Sequence, residues 1–158
     1  MPKTTATDAG EQKLLDNIRE FGWHCMQVFG DDEHEAFSYT VGLFQTYGHP
    51  ELLIYGLPEE IAHAVLTIVA NATANGTAIN LGEATDMLLE GHSCVFVTVP
   101  LSAYPEHFGF ARWYYDGDSF PVEQVVWPSR TGLFPWHPEA SQEFRAKQPV
   151  LGQYERAS

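Results

Sequence analysis

Basic residues are scarce and unevenly placed. The 158-residue chain holds 8 Lys and Arg against 21 Asp and Glu, a formal charge of −13. No Lys or Arg occurs between Arg19 and Arg112, while acids continue through that stretch, among them Asp31, Asp32, Glu33, Glu35, Glu59, Glu60 and Glu90. Nucleic acids are held by cationic side chains that neutralise phosphates, so DNA and RNA are not expected partners. An anionic membrane surface is disfavoured for the same reason. Phosphate-bearing cofactors are disfavoured too, though backbone N–H groups can hold phosphate. Arg112 and Arg130 are left as the central cationic candidates.

Cysteine is equally scarce. Cys25 and Cys94 are the only two, and both fall in expected strands, where they read as small buried hydrophobes rather than a disulfide framework. No run approaches the roughly 20 apolar residues of a membrane helix. Residues Met1 to Asp8 lack the apolar core of a signal peptide. The expectation is a cytoplasmic protein without a membrane partner.

Chemical signatures are missing as well. There is no Gly-x-Ser-x-Gly, no Gly-x-x-x-x-Gly-Lys, no Cys-x-x-Cys and no His-x-x-x-His pair, so neither a catalytic residue nor a metal site is assigned. His92 and Cys94 are the nearest approach to ligand spacing, since residues two apart share a strand face. The acidic run from Asp31 to Glu35 lacks the alternation and glycine of a calcium loop and reads as a solvated turn.

What is present describes one globular domain. Residues 1–10 read as a disordered tail, 11–151 as a single α+β domain and 152–158 as a C-terminal tail. Leu14, Leu15, Ile18 and Phe21 predict a helix ended by Gly22. Trp23–Phe29 and Ala36–Leu43 predict an antiparallel hairpin. Glu51–Gly56 reads as a central strand covered on both faces. Pro58 opens a helix to about Asn75, with Ile61, Val65, Ile68, Val69 and Ala72 as its apolar stripe. Residues 76–92 are ambiguous. Ser93–Val99 and Pro121–Trp127 predict strands, with one helix over Pro105–Tyr115 between them. The irregular mixture favours α+β architecture: a mostly antiparallel sheet of five or six strands, open or barrel-like, packed by two or three helices.

The set Phe21-Gly22-Trp23, Phe37-Ser38-Tyr39-Thr40-Val41-Gly42-Leu43, His49-Pro50-Glu51-Leu52 with Gly56-Leu57, Gln124-Val125-Val126-Trp127-Pro128, Gly132-Leu133-Phe134-Pro135-Trp136 and Gln148-Pro149 resembles the mainly bacterial family known as domain of unknown function 4262. The resemblance spans about Leu14 to Leu151 and implies no activity. Ser129 departs from the family's Trp-Pro-Asp pattern, which argues against a carboxylate role there.

Aromatic residues supply the functional expectation. Ten of the 21 Phe, Trp and Tyr residues lie between Tyr104 and Trp136. Tyr104, Phe108, Ala111 and Tyr115 share one helical face, while Phe110, Trp113 and Tyr114 fall elsewhere. Aromatics on more than one face, around Arg112, point either to an aromatic core with one ion pair or to a pocket. The candidate ligand-binding residues are Arg112, Trp113, Tyr114, Gln124 and Trp127, with Tyr39 and Thr40 further out. Ser38 and Thr40 are expected to face solvent or a cleft. Gln124, among core-facing valines, needs hydrogen-bond partners and is expected to clamp a loop such as Gly132–Trp136 or to contact a ligand.

The leading reading is a domain that binds a small molecule or peptide at an aromatic pocket around Arg112. One alternative is a flavin-dependent oxidoreductase on a split-barrel-like fold. Another is a protein-interaction or homo-oligomeric module. No cofactor is assigned.

Overall fold

The computed structural model describes residues 1–154. Asp8 caps the first helix, α1 (Ala9–Phe21), its carboxylate accepting from Glu11 N at 2.8 Å. Ahead of it, Lys3 N donates to Tyr114 O and Arg19 donates to Thr4 O, which lays the N-terminal residues against the domain. Gly22, in the left-handed conformation, closes α1 and turns the chain into the hairpin β1 (His24–Val28) and β2 (Phe37–Val41).

The chain then departs from an uninterrupted strand. Gly42 starts a short helix, α2 (Leu43–Tyr47), before β3 (Glu51–Tyr55). The long helix α3 (Glu59–Ala74) leads to β4 (Thr85–Leu89), which occupies the ambiguous stretch, and β5 (His92–Thr98). The expected helix at 105–115 forms in two pieces, α4 (Tyr104–His107) and α5 (Gly109–Tyr115), divided at Phe108, whose φ of −116° and ψ of 46° leave the helical region. The strand β6 (Val122–Val126) follows. A final helix, α6 (Gln142–Lys147), is capped by Ser141 and was not legible in the polar C-terminal segment.

The six strands lie in the order β1-β2-β3-β6-β5-β4, antiparallel throughout except for β3 beside β6. Among the described residues the fold is α+β, with six α-helices on a mostly antiparallel sheet. The sheet is open, so the barrel on which the flavin alternative depends is not formed.

β3 is buried along its whole length, and alternation sends its side chains into two cores. Leu53 and Tyr55 join Phe37, Tyr39, Val41 and Val122 beneath α1, α4 and α5. Leu52 and Ile54 join Phe96 and Val125 beneath α3. The buried face of α3 is Ala62, Val65, Leu66, Val69 and Ala70, rotated from the expected stripe, and Ile61 is 44% exposed.

A third, smaller cluster sits on the same sheet face as Val122. There Phe134, Val150 and Tyr154 cover Val95, Val97 and Val126. Residues 149–153 thereby form a strap across β5 and β6. Gly56 makes room for the end of α6. Its φ is +81°, and a Cβ there would stand 2.6 Å from Lys147 O. Among the described residues, no helix is long and apolar enough to cross a membrane.

Candidate functional site

The seven expected site residues are not gathered in one place. The Nε of Arg112 donates to Asp118 at 2.6 Å in a half-exposed ion pair at the end of α5. Trp113 packs partly buried against the first core, and Tyr114 is buried in it. Tyr39 is buried, its hydroxyl accepting from Phe110 N at 3.3 Å. The hydroxyl of Thr40 donates to Glu51 Oε1 at 2.8 Å and accepts from Leu52 N at 2.9 Å. Ser38 and Thr40 therefore face neither solvent nor a cleft. They lie on the face covered by α3, where their hydroxyls are satisfied inside the fold. The aromatic face Tyr104, Phe108, Ala111 and Tyr115 is buried as the periodicity predicts. Tyr104 also donates to Phe120 O at 2.7 Å.

Gln124 is a clamp, but not of the Gly132–Trp136 loop. Its Nε2 donates to Pro149 O at 2.7 Å and its Oε1 accepts from Leu151 N at 3.0 Å. Trp127 meets the same strap from the next turn of chain. Gln148 Oε1 accepts from Trp127 N at 2.9 Å and Gln148 Nε2 donates to Trp127 O at 2.8 Å. The indole N–H of Trp127 donates to Tyr55 O at 2.8 Å. Gln124, Trp127 and the completely buried Gln148 thus sew the C-terminal segment onto β6.

That seam builds a cleft of about 540 Å³, lined by Pro135, Trp136, Arg145, Gln148, Val150 and Tyr154, with Gly152 and Gln153 at its margin. Trp136 and Tyr154 of this lining belong to a stack of three rings completed by Phe134. Phe134 and Trp136 have centroids 5.1 Å apart at 14°, and Trp136 and Tyr154 are 4.9 Å apart at 12°. Trp136 is 40% exposed. Arg145 is held by backbone: its Nη2 donates to His137 O at 2.6 Å and to Pro138 O at 3.2 Å. Its Nε is buried without a partner, and no carboxylate pairs with it among the described residues. Arg145, Gln148 and Tyr154 escaped sequence reasoning because they sit in an irregular polar tail. The Gln148-Pro149 pair was the one local signal.

The other large cleft on this side, about 840 Å³, lies between the strap and the 81–82 loop and contains Glu123. Burial pushes the Glu123 carboxyl above the ordinary carboxylate value, with the Thr98 side chain opposing the shift. On the opposite edge of the sheet, a groove beside β1 is lined by Asn17, Trp23, His24, Cys25, Glu59 and His63. Burial, then the charge of Lys13, lowers His24 to a pKa of about 4. Burial pushes Cys25 up to about 12 and Cys94 to about 11, so neither thiol is an activated nucleophile. Among the described residues, no group of three or more His, Cys, Asp and Glu is placed to hold a metal ion.

Glu51 carries the most concentrated polar network, and it is internal. The carboxylate is 1% exposed. It accepts from the hydroxyls of Thr40 and Tyr115 and from the N–H groups of Gly42, Leu43 and Phe44. Burial raises its pKa, while the Tyr115 and Thr40 hydroxyls and two of those N–H groups pull it back. Every acceptor position is occupied by the fold itself, which makes Glu51 a cap for α2 rather than a catalytic carboxylate.

An open six-stranded sheet with helices on both faces, and a recess sewn together by its C-terminal strap, defines an α+β domain with a ligand-sized cleft. The chain belongs to the family described as domain of unknown function (DUF4262), whose model matches residues 17–141. No curated protein and no solved structure matches it. Pro135 and Trp136 of the cleft fall inside the matched region, and the wall from Arg145 to Tyr154 follows it.

Proposed function

We propose that this domain binds a small planar organic anion, an aromatic or conjugated carboxylate, in the cleft between Trp136, Tyr154 and Arg145. The supporting observation is Arg145 itself. In a chain with 21 acids and 8 bases, this guanidinium has no carboxylate partner among the described residues, yet two backbone carbonyls hold it in place. An anchored, unpaired arginine beside stacked rings suits a ligand with a carboxylate at one end and a flat apolar body. The cleft volume of about 540 Å³ falls within the usual span of small-molecule sites, about 300–1,000 Å³. The aromatic pocket anticipated around Arg112 is thereby relocated to the far end of the same segment.

Calorimetric titration with benzoate and benzamide tests the reading. Benzoate is expected to bind with clear preference over the isosteric amide, Arg145→Gln to remove that preference, and Trp136→Ala to weaken both ligands. Equal binding of acid and amide, or an Arg145→Gln variant that keeps the preference, would refute it.

A further inference from the structure

We infer that Glu123 anchors a second binding site, for an organic ammonium group, in the cleft between the strap and the 81–82 loop. This site does not depend on the role proposed for Arg145. Glu123 projects from β6 on the face that packs under α3, with Leu52 opposite it on β3 and Thr98 opposite it on β5. Its Oε2 is buried and has no hydrogen-bond partner among the described residues. A carboxylate oxygen withdrawn from water without a donor is costly, and a cation that donates hydrogen bonds removes that cost.

The surroundings select the kind of cation. Glu123 is the only ionisable residue among the described residues that line the cleft. Leu81 and Phe96 supply apolar surface on the same side of the sheet, and Val97 and Leu151 line the cleft from the strap side. A calcium ion would need six or more oxygen ligands, and a single carboxylate cannot provide them. A primary ammonium needs one strong acceptor and tolerates hydrocarbon beside it. The volume of about 840 Å³ accommodates an amine carrying a ring or a short chain. The net charge of −13 favours approach of a cation over an anion.

The test compares 2-phenylethylamine with 2-phenylethanol, which match in shape and differ in charge. Amide NMR signals of Thr98 and Gly152 report the site. The amine is expected to shift both signals saturably, with affinity about tenfold or more above that of the alcohol. Glu123→Gln is expected to abolish this difference without loss of fold, since it removes the charge from a half-buried side chain of which one oxygen has no partner. Glu90→Gln, an exposed acid elsewhere, is expected to preserve it. The inference is overturned if the alcohol binds as well as the amine to the unaltered protein. It is equally overturned if the amine leaves Thr98 and Gly152 unshifted at millimolar concentration, or if Glu123→Gln retains the preference.

Discussion

Tyr115 donates its phenolic hydrogen to Glu51, joining the end of α5 to the head of β3 across 64 residues of chain. The same hydroxyl accepts from Gln45 N at 3.2 Å, so α2 is drawn into the same knot. Three elements with no regular hydrogen bonds between them are thereby fixed by one buried carboxylate. A carboxylate removed from water is tolerated only when its lone pairs are occupied, and here five donors converge on it.

Removing that carboxylate leaves the donors unpaired. Glu51→Ala is expected to destabilise the fold by at least about 3 kcal/mol, and Tyr115→Phe, which removes one donor, by about 1.5–3 kcal/mol. Urea denaturation checks both. A loss below about 1 kcal/mol for Glu51→Ala would show that the network contributes little.

His24 makes stability depend on pH. Its folded pKa of about 4 lies below the ordinary 6.5. Between those values the unfolded state binds the extra proton, so the His24 contribution is complete above about pH 6.5 and is lost as pH falls toward 4. Allowing for its partial exposure, the loss is about 1–2 kcal/mol. His49 is shifted the same way, by burial first, so the comparison must be between variants. Urea midpoints at about pH 7 and about pH 4.5 are expected to differ less in His24→Gln than in the unaltered protein.

Gln124 holds the strap through Pro149 and Leu151. Gln124→Leu keeps the volume and removes both bonds, at a cost of about 2 kcal/mol. Hydrogen exchange at the Leu151 amide is expected to accelerate more than exchange at amides of β3.

Gly152 admits no side chain. A Cβ there would stand 2.1 Å from Thr98 O, a backbone atom that cannot swing aside. Gly152→Ala is expected to lift the strap, to cost about 1–3 kcal/mol and to weaken benzoate and 2-phenylethylamine together, since Gly152 lines both clefts. Titration of the two probes against this variant would reveal whether the strap is their common wall.

Arg112 separates the two readings of the aromatic segment. Its pair with Asp118 is half-exposed, so Arg112→Ala is expected to cost less than about 1 kcal/mol. Benzoate affinity is expected to stay unchanged. A loss of binding with intact fold would return the site to Arg112.

Much of the architecture is a local consequence of residue order. Alternation placed Val122, Gln124 and Val126 opposite Val125 and Trp127, and the continuous apolar run Glu51–Gly56 marked a strand covered on both faces, which forms as Glu51–Tyr55. Spacings of four, three and four marked Tyr104, Phe108, Ala111 and Tyr115 as one face, which is buried even though the helix breaks at Phe108. These patterns depend on periods of 2 and 3.6 residues, which survive without knowledge of neighbours.

The site was a different matter. Whether an aromatic residue is core or wall depends on what covers it, and the cover here arrives from far along the chain. Tyr114 is buried partly by residues at the N-terminus, and Trp136 stacks on Tyr154 from the strap. Arg145 gains meaning only from the carbonyls of His137 and Pro138 and from the absence of an acid beside it among the described residues. Glu123 differs from the equally sheet-borne Glu51 because one of its buried oxygens is left without a partner. The sequence by itself determined most of the strands, the buried face of the 104–115 segment and the charge. Tertiary structure alone decided which side-chain polar groups were satisfied and which were left without a partner, because side-chain hydrogen-bond partners are set by proximity in space and have no period along the chain.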